Sequence, residues 1–352
     1  MITITGATGA LNGATTDHLL ERMPAREVTV VTRDPAKAQR FADRGVTVRQ
    51  GDYADPNSLP GAFADADQLL LVSSNDPGAD AVALHHTAID AAVTAGVGRI
   101  LYTSHQGAAR DTPFRPGRDH AATEQLLAAS GVAWTSLRNG FYLHSLDWLL
   151  GPWRETGTIT IPAEGPVSWT SRDDAAEAAV AILASDGGYD GPVTLTAEAA
   201  PTFLDVATIA SELTGRPINL VVLEAEEWIT AQLAAGQPEG MARFTLGVFQ
   251  AAQGRLLRRH RSPARHAPPT RTTHRAERAD ALAVLAFLPR VRPTARTDRP
   301  GCATKASAMT CPRTGVAESI EFATACRRAV TASTRRQASL AWHRRPQATV
   351  DA

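Results

Sequence analysis

Short apolar runs alternate with helical patterns over residues 1–140. Such runs predict buried parallel strands, which are apolar along nearly their whole length because helices cover both of their faces. The segments between them place apolar residues three and four positions apart, which predicts helices. The predicted strands are residues 2–5, 28–31, 46–50, 68–73, 98–104 and 133–138. Six strands alternating with helices predict an α/β fold with a doubly wound parallel sheet of the Rossmann type.

The pattern changes near residue 151, where no further repeating strand–helix unit follows. Predicted strands at 158–161, 193–196 and 218–223 and predicted helices at 173–184, 202–214, 225–235 and 238–250 indicate a small α+β cap on the substrate side. We therefore predict three parts: a dinucleotide-binding domain at 1–150, a small subdomain at 151–252, and a tail of low order at 253–352.

The tail differs from the rest of the chain in charge. From Arg255 onward there are 19 Arg and one Lys against six acidic residues, whereas residues 1–254 carry 16 basic and 30 acidic residues. We expect a disordered tail. A basic arm for nucleic acid is one interpretation, but the tail has almost no Lys, no interleaved aromatic residues and no repeat, so a nucleic-acid partner is not favoured. Our preferred hypothesis is an out-of-frame translation of a GC-rich gene.

The body of the chain is typical of a cytoplasmic enzyme. All three cysteines lie in the tail, and the N-terminus enters a strand directly without a basic and apolar leader. No run of about 18 apolar residues predicts a membrane span.

The first strand leads into a Gly-rich turn, which reads TGATGALNG. A strand, a Gly-rich turn and a helix in this order predict a dinucleotide site, because glycine lets the backbone approach a pyrophosphate at the helix N-terminus. Asn12 stands where a third glycine normally closes the pattern, and we expect it to shift the helix start slightly. The residues predicted to hold the cofactor here are Gly6, Ala7, Thr8, Gly9, Ala10 and Leu11.

The end of the second strand selects between the two nicotinamide cofactors. Arg33 follows that strand, and an Arg in this place accommodates a 2′-phosphate, so NADPH is predicted over NADH. Asp34 comes next, and a merely solvated Arg33 is the alternative. Asp52, after the third strand, either faces the adenine or caps the following helix.

Polar residues also end the later strands, at the sheet edge where ligands bind in such folds. They are Ser73, Ser74 and Asn75 after the fourth strand, the stretch 102–104 ending in Ser104, and the stretch 139–142 after the sixth. Residues 105–118 predict a lid or substrate loop. His85 and His86 point to different helix faces and no further ligand pair has metal spacing, so no metal is predicted.

In this order, TGATGALNG, VTRDPAKA, LLLVSSND, YTS and LRNGFY resemble the atypical short-chain dehydrogenases of the NmrA-like group, most closely its bacterial NADPH:quinone oxidoreductases. The resemblance covers about residues 1–250. It implies NADPH held by the Gly-rich turn with Arg33 on the 2′-phosphate and residues 73–75 near the ribose. It also implies that Asn139, Gly140, Phe141 and Tyr142 border the nicotinamide.

One departure from the short-chain dehydrogenases concerns the proton donor. Their Tyr and the Lys four residues later are absent, and the corresponding helix offers His120. His120 and Tyr142 are the candidate catalytic residues, with a helix-start role for His120 as the alternative. Phe141, Tyr142 and Tyr102 are candidate walls for a planar substrate, or else core aromatics.

The predicted function is therefore NADPH-dependent hydride transfer to quinones or similar small electrophiles, with a homodimer left open. The main alternative is a non-catalytic NADP(H)-binding redox-sensing regulator, and a weaker one is a reductase or epimerase acting on another carbonyl.

Overall fold

A parallel sheet of seven strands forms the centre of the protein in the computed structural model, which describes residues 1–76, 78–185 and 187–254. The strands in chain order are β1 Ile2–Thr5, β2 Val28–Thr32, β3 Thr47–Gln50, β4 Gln68–Leu71, β5 Arg99–His105, β6 Ala133–Asn139, β7 Thr158–Ile161, β8 Gly191–Leu195 and β9 Asn219–Val222. The main sheet has the order β3-β2-β1-β4-β5-β6-β8, and β7 pairs with β9 in a second, two-stranded parallel sheet. The predicted doubly wound parallel sheet is confirmed.

Helices cover both faces of the main sheet. They are α1 Ala10–Leu20, α2 Gln39–Ala42, α3 Leu59–Phe63, α4 Ala81–Thr94, α5 Arg115–Ala129, α6 Leu146–Leu149, α7 Trp153–Thr156, α8 Arg172–Leu183, α9 Phe203–Thr214, α10 Ala225–Ala234 and α11 Glu239–Gln253. All residues of β1 and β2 are buried, which explains their unbroken apolar and Thr sequences.

The core divides into two layers because successive side chains of a strand point to opposite faces. Ile4, Leu70 and Leu101 pack on one face against Leu19 of α1 and Val180 of α8. The other face holds Leu69, Leu71, Ile100 and Tyr102 against residues that include Phe63, Ile89 and Leu127.

The order in which successive strands are added to the sheet reverses between β1 and β4. From β1 the chain continues through β2 and β3 on one side, and from β4 through β5 and β6 on the other. Neighbouring loops diverge at such a switch point and leave a crevice at the carboxyl ends of the strands, which is where ligands bind in open α/β sheets. The Gly-rich turn follows β1 and residues 72–75 follow β4, so both predicted ligand segments border this crevice.

Two elements assigned to the cap on sequence belong to the main sheet and its helical layers. β8 pairs in parallel with β6, with Val193 opposite Leu137. The helix α8 packs against α1, and His18 of α1 lies 2.8 Å from Asp173 of α8. The parts that remain outside the main sheet are the β7–β9 pair and α9–α11. The domain boundaries at 150 and 252 stay a prediction.

The helix α5 begins earlier than expected. It starts at Arg115, not at residue 119, because Pro116 occupies its first turn, where the absent N–H of proline costs no helical hydrogen bond. The predicted loop 105–118 is therefore shorter by the first turn of this helix. The predicted tail beyond residue 254, including the frameshift hypothesis, lies outside the described residues.

Candidate functional site

The Gly-rich turn forms a cradle of backbone amides. Gly6 has φ +67°, and the Gly9 amide donates to the Gly6 carbonyl at 2.9 Å before α1 begins at Ala10. No side chain caps this helix and no acidic residue lies in its first turn. The first amides of a helix have no partner within it, and the helix dipole is positive at this end. The turn is therefore open to an anion, as a pyrophosphate requires.

Gly13 and Asn12 have different roles in the turn. A Cβ on Gly13 would lie 3.0 Å from the Ala7 carbonyl oxygen, so Gly13 permits the close packing of α1 on the turn. Asn12 is buried and its Nδ2 donates to the carbonyl oxygen of Thr5, at the end of β1, at 2.8 Å. Asn12 thus links α1 to β1 by a hydrogen bond. The glycine that permits close packing of α1 on the turn is the next residue, Gly13.

Three consecutive backbone amides after β4 are held by side chains. Val72 donates to Thr5 Oγ1 at 2.8 Å, Ser73 to Thr103 Oγ1 at 2.8 Å, and Ser74 to His85 Nε2 at 2.7 Å. The acceptors come from β1, β5 and α4, so three elements fix the path of the segment that borders the crevice. We call Val72–Ser74 with these three acceptors the amide clamp.

Val72 also closes the crevice against the Gly-rich turn. A Cβ on Gly6 would lie 2.6 Å from Val72 Cγ1, which no side chain can tolerate without displacement of one of the two segments. Only glycine therefore fits at position 6, for reasons of both φ and space.

Arg33 lies at the end of β2 and faces the segment after β4. Its guanidinium contacts the Asp76 carboxylate at 2.8 and 3.3 Å, and the Arg33 side chain is 63% exposed. The two-pronged contact shows that the guanidinium can receive an oxyanion in this place. Lys37 lies 3.9 Å from Asp34.

Asp52 makes local contacts. Its Oδ1 accepts from the Ala54 amide at 3.0 Å, and its own amide donates to Ser58 Oγ at 3.0 Å. Asp55, not Asp52, caps the following 3-10 turn through the Asn57 amide. The predicted adenine contact of Asp52 stays a prediction.

Buried polar atoms lie on the adjacent ends of β5 and β6. His105 pairs in register with Asn139. In the described part of the chain, His105 Nε2 and Asn139 Oδ1 are buried without a hydrogen-bond partner. His105 Nδ1 accepts from the Gly107 amide at 3.0 Å, and burial lowers the pKa of His105 to about 4. The neutral ring therefore carries its proton on Nε2, so this edge offers one free donor and one free acceptor.

Ser104 points away from these atoms. Its hydroxyl donates to Glu124 Oε1 at 2.8 Å, which also receives Ser136 Oγ at 2.6 Å and Arg138 Nε at 2.9 Å. This buried carboxylate joins α5 to β5 and β6. Contact of Ser104 with a cofactor stays a prediction based on the resemblance.

His120 lies on the inner side of α5, beside the β5 edge. Its Nδ1 is 2.8 Å from the Tyr102 hydroxyl, and its ring is nearly parallel to that of His105 with centroids 6.2 Å apart. Burial, aided by the neighbouring His105, His85 and Arg138, holds the pKa of His120 well below its usual value. His120 is therefore neutral near pH 7, where its nitrogens can take part in hydrogen bonds but the ring is not an imidazolium acid.

The segment after β6 brings in Tyr142. Burial raises the pKa of Tyr142 to about 12, and its ring packs against His144 and beneath the Arg172 guanidinium. Gly140 is tightly enclosed, because a Cβ there would lie 2.0 Å from Thr170 Oγ1. The segment 139–142 is consequently fixed against the residues that lead into α8, where Tyr142 forms an isolated bridge with Thr170.

Sequence reasoning missed His85 and the hydroxyl of Tyr102 as parts of the site. The adjacent histidines 85 and 86 had to face different sides of a helix, which indicated that one of them points inward. Nothing in the spacing showed that the inward one would accept from the Ser74 amide. Tyr102 is fully buried, so it is not a substrate wall in this structure.

Within the described residues, no group of three or more His, Cys, Asp and Glu side chains is placed to hold a metal ion. None of the described helices is long and apolar enough to cross a membrane.

The chain matches the NAD(P)H-binding family over residues 6–186, which is more than half of its length. It is 36% identical over 245 residues to quinone oxidoreductase 2 of Escherichia coli, covering 69% of this chain and 84% of the relative. It is 33% identical over 244 residues to the NAD(P)H azoreductase of Xenophilus azovorans, with 69% and 84% covered.

Solved structures agree with these matches. A crystal structure of NADPH-dependent quinone oxidoreductase from E. coli in complex with NADPH superimposes with a TM-score of 0.70 at 31% identity, covering 81% of this chain and 100% of the other. Citrobacter triphenylmethane reductase in complex with NADP(H) gives a TM-score of 0.66 at 32% identity, covering 74% and 92%.

The chain belongs to the NAD(P)H-binding family. The predicted resemblance to NmrA-like and quinone oxidoreductases is confirmed, since an NmrA-like oxidoreductase of Aspergillus flavus also matches at 31% identity over 233 residues. These relatives are oxidoreductases, and the enzyme class predicted from sequence is confirmed with them.

Proposed function

We propose that the protein transfers a hydride from NADPH to quinones or similar planar electrophiles at the carboxyl edge of the main sheet. The observation that carries this proposal is a run of aromatic rings leading outward from Phe141. Phe114 lies 5.9 Å from Phe141, Phe244 lies 5.6 Å from Phe114, and Trp148 lies 6.4 Å from Phe244, all between ring centroids. Phe141 and Phe114 are buried, whereas Phe244 is 37% and Trp148 42% exposed.

We call these four rings the aromatic run. Stacked or edge-on contact with such rings favours flat aromatic substrates. The run begins beside His105, whose ring lies 5.2 Å from Phe114 and 5.6 Å from Phe141. A planar ligand along it would reach the ends of β5 and β6, where the resemblance puts the nicotinamide.

The residues present fit the cofactor. The amides at the start of α1 suit the pyrophosphate, and the small side chains of Ser73, Ser74 and Asn75 suit the ribose. The unpartnered His105 Nε2–H and Asn139 Oδ1 suit a carboxamide, which has a carbonyl acceptor and an NH₂ donor group. The cofactor supplies the hydride when bound, and the protein aligns the two rings and excludes water.

NADPH is the preferred cofactor in this proposal, because of Arg33. The Arg33 guanidinium already donates two hydrogen bonds to the Asp76 carboxylate, as it would to the oxygens of a phosphate. NADPH binding would replace that contact by the 2′-phosphate. The relatives with NADPH or NADP(H) in their structures support this preference.

His120 and Tyr142 are the proposed substrate-facing polar residues. A quinone is already electrophilic, so its reduction requires alignment and stabilisation of the developing oxyanion more than it requires an acid. The neutral His120 suits that role. The regulator alternative is not favoured, since the relatives that span the described body of the chain are reductases. We place the protein in the cytoplasm, and a homodimer stays open.

The proposal is tested by steady-state kinetics of the full chain with a simple benzoquinone and either NADPH or NADH. We expect quinone-dependent oxidation with a lower KM for NADPH. Arg33→Ala should raise the NADPH KM about tenfold or more, because charged hydrogen bonds are lost, and should leave NADH little changed.

Arg26→Ala is the matched control, since Arg26 is an exposed arginine just before β2, at the opposite edge of the sheet. Equal losses for both cofactors in Arg33→Ala would refute the NADPH preference. NADPH binding without quinone-dependent turnover would refute the enzyme proposal and favour the regulator.

A further inference from the structure

A group of buried polar side chains lies behind His120, between α4, α5 and β5. It consists of His85, Tyr102 and Thr123, which are at most 1% exposed. His85 is also the acceptor for the Ser74 amide in the amide clamp. The hydrogen bonds of this group determine which nitrogen of each imidazole carries a proton.

His85 is the starting point because a backbone amide faces one of its nitrogens. The Ser74 N–H donates to His85 Nε2 at 2.7 Å, so Nε2 holds a lone pair. Burial lowers the pKa of His85 to about 4, and the ring is neutral near pH 7. A neutral imidazole with an unprotonated Nε2 carries its proton on Nδ1. That proton is directed to Thr123 Oγ1, at 2.8 Å.

Thr123 in turn donates a hydrogen bond to the backbone. Its hydroxyl donates to the Asp119 carbonyl oxygen, one helical turn earlier, at 2.9 Å. The Thr123 oxygen therefore already receives the His85 proton, and its own proton is used.

Tyr102 has one hydroxyl proton and two imidazole nitrogens nearby. His85 Nδ1 lies at 3.4 Å and His120 Nδ1 at 2.8 Å. His85 Nδ1 is a donor and cannot accept from the phenol. The nearest acceptor is His120 Nδ1, which leaves the neutral His120 ring with its proton on Nε2.

We propose that Tyr102 is a positioning residue that fixes His120 in the Nε2–H tautomer, so that His120 presents a hydrogen-bond donor to the substrate oxyanion. The His85–Thr123 pair favours this arrangement, because His85 Nδ1 is already a donor and the Thr123 hydroxyl proton is already bound to the Asp119 carbonyl oxygen. The same His85 accepts from the Ser74 amide, so the group joins the cofactor segment to the substrate side.

This role rests on the proposed function and fits the chemistry of quinone reduction. The quinone accepts a hydride and becomes a hydroquinone monoanion, while NADPH is oxidised to NADP⁺. The His120 Nε2–H donates a hydrogen bond to the developing oxyanion and keeps its proton. Solvent water supplies the proton that completes the hydroquinone, so Tyr102 does not have to lose its proton and form a buried phenolate.

Nitrogen-15 NMR of the histidine-labelled full chain tests the assignment, with the His120 signals identified by His120→Gln. At neutral pH we expect a protonated Nε2 and an unprotonated Nδ1 on His120. Tyr102→Phe should redistribute the proton between the two nitrogens. Tyr53→Phe removes another buried phenol, which bonds Val72 and Thr5 and not His120, and should leave the His120 signals unchanged.

A protonated Nδ1 in the wild type, or unchanged His120 signals in Tyr102→Phe, would overturn the inference. The wild-type spectrum decides the first point even if the variant does not fold. It is also independent of turnover, so failure of quinone reduction would refute the proposed function without touching this result.

Kinetics supply the second readout. Tyr102→Phe should lower kcat for the benzoquinone about tenfold, in proportion to one weakened hydrogen bond, with the NADPH KM unchanged. A kcat equal to that of the wild type would show that Tyr102 does not act through His120.

Discussion

The two halves of the candidate site are built from different materials. In the cofactor half, around the Gly-rich turn and the amide clamp, the groups that would meet the cofactor are the uncapped amides at the start of α1 and the small side chains that follow β4. In the substrate half, around the ends of β5 and β6, the groups that would meet the nicotinamide ring and the substrate are buried imidazoles, an amide and aromatic rings. The first half depends on backbone path, and the second on the packing of side chains from several elements.

The two halves should therefore respond differently to substitution and to pH. Backbone amides do not titrate and are displaced only when the chain itself moves, so the Gly-rich turn should be sensitive to glycine substitution and little affected by pH. The buried histidines behind and within the substrate half resist protonation, so that half should couple to pH.

The largest effect is expected from Gly6→Ala. The new Cβ would combine an unfavourable φ of +67° with a contact of 2.6 Å to Val72 Cγ1, which separates the Gly-rich turn from the amide clamp. We expect NADPH affinity to fall about a hundredfold, corresponding to on the order of 3 kcal/mol of strain and displacement. Equilibrium binding by NADPH fluorescence measures this.

Gly131→Ala is the matched control for Gly6→Ala. Gly131 has φ +77° but no atom within 4 Å of the added Cβ, so it carries the backbone strain without the clash. It should lower the melting temperature and leave NADPH affinity intact. An equal loss of affinity in both variants would contradict the special role of the Gly6–Val72 contact.

The next effect concerns acid stability and His85. Its pKa is about 4 in the folded protein against 6.5 for an ordinary histidine, because burial opposes the charge. Below about pH 6.5 the unfolded chain binds a proton that the folded chain refuses until about pH 4. Stability is therefore full above that window and falls as the pH decreases through it, by on the order of 3 kcal/mol for this group.

His85→Gln should flatten this decline in urea unfolding followed as a function of pH. His86→Gln, on the exposed neighbour in the same helix, serves as control and should keep the wild-type slope. A His85→Gln slope identical to the wild type would show that the buried ring does not couple to stability. His105, whose pKa burial also lowers to about 4, adds a decline in the same direction.

The smallest effect is expected at the outer end of the aromatic run. Phe244→Ala removes a ring that lies 5.6 Å from Phe114 and is partly exposed. We expect the quinone KM to rise about threefold to tenfold, with NADPH binding unchanged. Leu213→Ala, at an exposed apolar residue of α9, should leave both constants alone. Weaker NADPH binding in Phe244→Ala, with an unchanged quinone KM, would contradict the separation of the site into a cofactor half and a substrate half.

The cofactor half was largely predictable from the sequence. Gly6 has a φ of +67° that hardly any other residue adopts, and β1 and β2 are apolar because both of their faces are buried. Arg33 could be placed at the sheet edge because it follows a strand directly. Local backbone constraints of this kind leave a signature at fixed spacing.

The substrate half could not be predicted to the same extent. The His85–Ser74 contact, the phenol of Tyr102 on His120 and the unpartnered atoms of His105 and Asn139 arise only when four elements pack together. β8 was likewise assigned to the cap, because its partner β6 is more than fifty residues away and nothing local distinguishes a strand of the main sheet from one of a small sheet. The polar contacts of the substrate half and the place of β8 in the sheet both depend on tertiary packing between distant segments.

The most direct test of the account is a single turnover without oxygen, in which the full chain loaded with NADPH is mixed with an equal amount of benzoquinone. The account predicts that NADPH disappears in step with the appearance of hydroquinone, one for one, much faster than in the absence of protein. Bound NADPH that persists at the rate of the uncatalysed reaction would contradict it.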